Sequence, residues 1–492
     1  MSSSKHTPEW VHHSIFYQIF PDRFASSPAV SKPHNLEPWD TRPTLKGFKG
    51  GDLIGVVEHL DYLQDLGVNA LYFTPVFQSA SNHRYHTHDY FQVDPILGGD
   101  AALRRLLDKA HRRGIKVVLD GVFNHASRGF FQFNHILECG ADSPYLDWFD
   151  VRGFPAHAYE GRPNYRCWVN LAELPEFNHQ NPDVVRFIYD VARYWIDQGI
   201  DGWRLDVPFQ FGDDPFWQGF RDVVKNANPE AYITGEIVED ASRWLKGDQF
   251  DAVMNYLFTY CVWGFIGGQD ADHDSMGHWV GHAGPLLATD TAAFASNIEQ
   301  LLERYPRSNV LAQQNLLDSH DTARVLTIFR GRKDLVKLAV LIQMTYPGAP
   351  MIYYGNEIGM EGGKDPDCRR AFPWDEHLWD QDLLSYHKRL IALRTAHRAL
   401  RDGDYATLLA QDGLVAILRQ AETDRAVVLI NRDASTRHIE LDVTGQLPEG
   451  LHLQNQIGSG AAQVSGGRLT GLVLAPFSEA VFVADPQNLT NG

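Results

Sequence analysis

A chain of 492 residues, 44% hydrophobic and 22% charged, has the composition of a folded globular protein and is too long for one small core. Acidic residues outnumber basic ones 62 to 44, and the net charge of −18 excludes the basic stripe that a nucleic-acid-binding surface needs. Cys139, Cys167, Cys261 and Cys368 are scattered without a C-x-x-C pair, which argues against both a zinc cage and a disulfide framework.

The N-terminus, MSSSKHTPEWVHHS, lacks the apolar core of a secretory signal, and no run of eighteen apolar residues occurs. These features predict a cytoplasmic protein with no membrane partner. The chain then alternates between two patterns. Short β-rich runs fall at 14–20, 68–75, 115–122, 202–207, 231–237, 250–256, 315–320 and 349–355. Amphipathic stretches at 55–67, 100–114 and 183–199 lie between several of them, each ending in Gly, a common helix stop. Strand-helix alternation predicts a parallel sheet, and eight repeats predict an α/β fold closed as a (β/α)8 TIM barrel, with an open doubly wound sheet as the alternative.

The spacing is uneven. Residues 124–180, rich in aromatics and Gly/Pro and poor in helical periodicity, predict an inserted subdomain after the third strand. From about 401 the runs become short and alternating, as in a C-terminal all-β sandwich. The expected organisation is therefore barrel at 1–123, insert at 124–180, barrel again at 181–400, and β-sandwich at 401–492.

Barrel chemistry is done where strands end, so polar residues at those ends are the ones to collect. The third strand contributes Asp120, Asn124 and His125; the fourth, Arg204 and Asp206; the fifth, Glu236; the seventh, His320 and Asp321. Arg204 and Asp206 are two apart on a strand and face the same way. A lone R-x-D is most often a structural ion pair, but three carboxylates, two histidines and an arginine on one rim call for a shared site.

Metal-dependent hydrolysis competes for such a set, yet H-E-x-x-H and a first-strand H-x-H are missing, and Arg204 would oppose a cation. A phosphate site would show a Gly-rich loop after the later strands, and none is evident. Glycoside hydrolysis needs one ionised and one protonated carboxyl around a scissile bond. On this reading Arg204 lowers the pKa of Asp206, while Glu236, with no cation adjacent in sequence, keeps its proton.

The segments DGVFNH (120–125), GWRLDV (202–207), GEI (235–237) and LLDSHD (316–321) resemble, in order, the four conserved segments of the α-amylase family of glycoside hydrolases, family 13. SNHRYHTHDYFQVDP (81–95), FDAVMNY (250–256) and YYGNEIGMEGGKDPDCRRAFPW (353–374) are similar to its neopullulanase, cyclomaltodextrinase and maltogenic amylase branch. The resemblance implies a retaining double displacement with Asp206 as nucleophile, Glu236 as acid/base and Asp321 as transition-state stabiliser. It also implies that Tyr85 stacks on the sugar at the cleavage point and that Arg204, His125 and His320 bond the nucleophile and that sugar. Asp365 and Arg369 would hold a more distant glucose, and Asp120 and Asn124 would brace the third strand and the insert.

The chain departs from that branch in three ways. Its first strand begins by residue 14, without the branch's N-terminal β-domain, so a monomer or an oligomer without domain exchange is expected. Val238 stands where the branch has a tryptophan beside the acid/base. The calcium loop after DRFA is replaced by SSPAV, leaving Asp52 alone, so no metal and no cofactor are expected. The expected partner is an α-glucan oligosaccharide, cut at α-1,4 and also α-1,6 bonds. A debranching enzyme or an exo-acting α-glucosidase is the runner-up, with a non-catalytic carbohydrate-binding protein as the remote alternative.

Overall fold

The computed structural model describes residues 6–484. In chain order the first ten strands are β1 (Phe16–Ile19), β2 (Ala70–Phe73), β3 (Phe77–Ser79), β4 (Thr87–Val93), β5 (Lys116–Gly121), β6 (Gly202–Leu205), β7 (Tyr232–Gly235), β8 (Ala252–Val253), β9 (Gln314–Leu316) and β10 (Ala349–Tyr353). Eight of them pair in the order β8-β7-β6-β5-β2-β1-β10-β9, with every pairing between them parallel. A parallel bridge from Met254 to Gln314 joins the two outer strands, so the sheet closes into a barrel rather than staying open. Apart from Lys116 at the start of β5, its strands are buried, as parallel strands covered by helices must be.

The helices form where the spacing predicts them, with one difference. The stretch at 55–67 is two helices, Leu53–Glu58 and Leu60–Leu66, broken at His59. Gly67, at φ 95°, closes the second in a left-handed turn that other residues resist. Gly99–His111 and Pro182–Asp197 are continuous. The latter is started by the Asn181 side chain accepting from the Asp183 N–H, with Pro182 in its first turn.

Two features went unpredicted. An antiparallel β3–β4 hairpin rises from the end of β2 and carries residues 80–86 at its turn. Within 124–180, where no helical periodicity was read, a helix forms at Phe131–Cys139. The rest of that stretch is irregular chain held by bridges between His125 and Glu176, Phe149 and Phe177, Val151 and Tyr165, and Cys167 and Pro175.

After the barrel, eight antiparallel strands from β11 (Asp404–Gln411) to β18 (Ser478–Ala484) make the all-β sandwich, with an apolar core of its own between the sheets. Among the described residues no helix is long and apolar enough to cross a membrane.

Two buried arginines lie where barrel and sandwich meet, and one of them, Arg419, crosses from the sandwich to the barrel. Arg394, on the helix Gln381–Ala396, donates to the carbonyls of Met344, Tyr346, Gly348 and Leu400. Arg419, on β12 (Leu414–Ala421), donates to those of Thr345, Leu400, Gly403 and Asp404. Neither fork is spent on a carboxylate in these bonds; both satisfy backbone carbonyls, that of Leu400 being shared between them. Arg419→Ala is expected to lower stability by about 1 to 3 kcal/mol, the cost of abandoning the Thr345 carbonyl, since those of Leu400 and Gly403 keep Arg394 and Arg307. Arg419→Lys should restore little, because an ammonium lacks the planar fork. Thermal unfolding of the three proteins checks this.

Candidate active site

Lateral register builds the site. Asp120 lies opposite Arg204, and Arg204 opposite Thr234, on the neighbouring strands β5, β6 and β7. One step further along, the Asp206 N–H bonds Gly121 O at 3.1 Å and the Glu236 N–H bonds Leu205 O at 2.9 Å, so both acids leave the barrel at one level.

Arg204 is fully buried beneath them. Its Nη1 donates to both oxygens of Asp120 and to Asp206 Oδ1, each at 3.0 Å, and its Nη2 is ion-paired to Glu236 Oε1 at 3.0 Å. The expectation that Glu236 lacks a cation is therefore wrong: the same guanidinium reaches both acids, from a neighbouring strand that local sequence cannot reveal.

The expected lowering of Asp206 is also corrected. Burial pushes its carboxyl well above the usual range; Arg204 opposes this, but the charges of Glu236, Asp120 and Asp321 reinforce it. Burial likewise raises Glu236 to about 7 against the pull of Arg204. One cation cannot hold three crowded carboxyls ionised, so the Asp206–Glu236 pair retains a proton near neutrality.

Val207, between the two acids' strands, has φ 36° and ψ 47°, a left-handed conformation that β-branched residues avoid. That twist aims its N–H at Glu236 Oε2, 3.1 Å away.

Asp321 follows β9. Burial raises its carboxyl, but the adjoining His320 ring and the Arg369 and Arg204 guanidiniums outweigh this and hold it below the usual value. Arg369 Nη2 bonds Asp321 Oδ1 at 3.1 Å, while Nη1 pairs with Asp365 at 3.1 Å. Tyr85, from the β3–β4 turn, stacks parallel to His320 at 5.7 Å and bonds both its Nε2 and Asp120.

A cavity of about 850 Å³ opens over these strand ends. Tyr85, His125, Asp206, Glu236, Asp321, Asp365 and Arg369 all line it. Arg204 and His320, both fully buried, lie just behind the wall rather than on it. Asp365 and Arg369 stand beside Asp321, to which Arg369 is bonded directly. Asn124 does brace the insert, its carbonyl accepting from Phe177 N–H at 3.1 Å. Asp120 does more than brace a strand: it holds Arg204, Tyr72 and Tyr85 together.

Sequence reading missed the aromatic wall. Trp168 stacks on His125 at 5.5 Å, and Trp279 stacks on Tyr256 at 4.8 Å; both tryptophans line the cavity, as do Trp244 and Phe209. Val238 lines it too, at the position where an aromatic is lacking.

Residues 18–403 match the alpha amylase catalytic-domain family, and residues 405–483 the neopullulanase-like C-terminal domain. The chain belongs to the α-amylase family. It is a glycoside hydrolase of that family, 46% identical to a cyclomaltodextrinase of a Bacillus species over 87% of this chain and 74% of that one. A crystal structure of a debranching enzyme from Nostoc punctiforme matches 98% of this chain and 100% of its own, at 46% identity and a TM-score of 0.89. A cyclic α-maltosyl-(1→6)-maltose hydrolase from Arthrobacter globiformis matches 98% of this chain and 100% of its own, at 37% identity and a TM-score of 0.85.

The loop that carries calcium in related α-amylase-family chains does not suit the ion here. Asp52 accepts from the N–H groups of Ser27 and Gly55 and pairs with the Lys32 ammonium at 2.9 Å, so a cation is already supplied by the chain. Calcium needs six to eight oxygens, which this donor set does not offer.

Removing Arg204 should expose what it compensates. Arg204→Met leaves Asp120, Asp206 and Glu236 buried without that charge, a loss of about 3 to 5 kcal/mol when all are ionised. Their folded-state pKa values then rise further above the unfolded ones, so the stability lost is greatest at alkaline pH and recovers as pH falls and the carboxyls take up protons. Urea unfolding at pH 8 and pH 5 is expected to show the larger deficit at pH 8.

Proposed function

We propose that this glycoside hydrolase cleaves α-1,4 and α-1,6 glucosidic bonds in maltodextrins, cyclomaltodextrins or pullulan by retaining double displacement. The observation that carries the proposal is the single guanidinium beneath Asp206 and Glu236, with Asp321 in the same cavity. Two carboxyls on one guanidinium suit the retaining spacing of about 5 to 5.5 Å better than the roughly 6.5 to 9.5 Å that leaves room for a water.

In the first step an oxygen of Asp206 bonds the anomeric carbon while the glycosidic C–O bond breaks, and Glu236 gives its proton to the leaving oxygen. In the second, Glu236 takes a proton from water, whose oxygen displaces Asp206 from the sugar. Asp321, kept anionic by Arg369, faces the positive charge that develops on the ring. Trp168, Trp279 and Phe209 offer flat apolar faces to pyranose C–H groups.

The relatives' names support the substrate range, since they include cyclomaltodextrinase, neopullulanase and maltogenic amylase. A narrower reading, preference for α-1,6 branch points, is favoured by Val238, which leaves one wall without an aromatic platform, and by the full-length likeness to the Nostoc debranching enzyme.

Asp206→Asn is expected to cut turnover of maltoheptaose by at least about 10³-fold; unchanged turnover rejects the assignment. On pullulan the wild type should release panose as well as maltotriose, whereas maltotriose alone selects the debranching reading.

Glu236→Gln separates chemistry from stability. Its turnover should fall by about 10²- to 10⁴-fold. A folded-state pKa of about 7, raised above the ordinary glutamate value, means that the stability present at acid pH is lost as pH climbs towards 7. The neutral glutamine avoids that loss, so the variant should unfold at a higher temperature than wild type at pH 8 and near the same temperature at pH 4.5.

A further inference from the structure

The floor of the cavity contains a hydrogen-bonded chain whose direction can be worked out from its one end. Asp120 takes N–H bonds from Arg204 at 3.0 Å and O–H bonds from Tyr72 at 2.7 Å and Tyr85 at 3.1 Å, so it acts as acceptor throughout. Tyr85 therefore spends its only proton on Asp120, and its oxygen is left to accept. The group that oxygen meets is His320 Nε2, at 2.6 Å. The same Nε2 lies 3.1 Å from Asp321 Oδ2, a second acceptor. Two acceptors converge on one ring nitrogen, and both require it to carry the hydrogen.

A neutral imidazole with its proton on Nε2 has a bare lone pair on Nδ1, which needs a donor. Burial keeps this ring neutral, with its pKa pushed down to about 3. The group facing Nδ1, at 2.7 Å, is the side-chain amide nitrogen of Gln18, from β1, two strands from β9 in the barrel. Gln18 is fully buried, and among the described residues its Oε1 has no hydrogen-bond partner, so the side chain's polar contact is with this histidine. Which nitrogen of a histidine holds the proton is decided by the bond that the other nitrogen makes.

We propose that Gln18 is a positioning residue that selects the Nε2–H tautomer of His320 by donating an amide proton to Nδ1. One proton then ties Tyr85 and Asp321 to the same ring, setting the phenol and the carboxylate at the heights where both meet the sugar. The inference rests on the reading that these two groups face the substrate. Gln18 itself touches neither the cavity nor, on that reading, the reacting atoms.

The tautomer is read directly by long-range proton–nitrogen correlation spectroscopy on protein labelled with 15N-histidine, the His320 signals being assigned by their loss in His320→Asn. The wild type should show Nε2 protonated and Nδ1 bare; a protonated Nδ1 overturns the proposal whether or not any variant folds. Gln18→Met removes the donor at similar length, and Gln18→Glu presents an acceptor in its place. Both should alter the His320 signals and lower kcat on maltoheptaose, by about 10- to 100-fold, with KM within twofold, as losses of supporting bonds do. Variants that keep the wild-type tautomer and kcat overturn the role given to Gln18. Failure of the hydrolase reading leaves a different mark: wild-type protein that turns over no glucan while His320 still shows the expected tautomer.

Discussion

One buried guanidinium sets the terms for the whole active site. Arg204 sits on β6 between β5 and β7, and its charge is divided among Asp120, Asp206 and Glu236. Three buried carboxyls cannot be compensated by one cation, and this shortfall is useful. If each acid had its own arginine, all would be ionised and none could give up a proton; with none, all would be protonated and none could attack a carbon. A single shared cation leaves the pair with one proton between them, the state from which a glycosidase starts. Asp321 feels Arg204 as well but is bonded to a second cation, Arg369, and stays below the usual carboxylate range.

This arrangement needs a rigid scaffold, because a buried charge that shifts by an ångström loses its partner. The parallel register supplies it: Asp120 and Arg204 are lateral neighbours in a closed sheet, so they cannot separate without breaking the barrel. Asp206 and Glu236 each stand one position past the last paired residue of their strand, where the chain is free to turn. Val207 shows the cost of that turn, held left-handed so that its N–H meets Glu236.

How much of this was legible in the sequence follows from the range of each signal. The barrel strands were legible because each is a short apolar run bounded by polar residues, and the acids were legible because they stand at the ends of those runs. The electrostatics were not. Arg204 and Asp206 are two apart and read as a pair, whereas Arg204 and Glu236 are neighbours only once β6 and β7 align, so the cation looked private to Asp206. The β3–β4 hairpin was hidden for another reason. Its turn, ASNHRYH, is polar and reads as loop, and what shapes it is buried Arg84 bonded to Asp94 at 3.1 Å and to Asn82 O at 2.6 Å. The aromatic wall escaped because Trp168 and Trp279 belong to irregular or short-helical segments, where spacing gives no direction to a side chain.

The cavity is graded from floor to mouth, and the gradient bears on which glucans it can accept. At the floor, every hydrogen bond has a fixed donor and acceptor: Gln18 to His320, His320 to Tyr85, Tyr85 to Asp120. Such a surface fits one ring in one orientation. At the mouth, Val169, Leu171 and Phe209 are exposed by 59%, 43% and 42% and offer apolar contact without direction. Apolar contact follows area rather than angle, so a chain leaving the fixed ring through an α-1,4 or an α-1,6 oxygen meets comparable surfaces. Chemistry is therefore specified where the site is polar and buried, and linkage is left permissive where it is apolar and open. A tryptophan at position 238 would add a flat face at the level of Glu236 and narrow that permissiveness just where the leaving sugar departs.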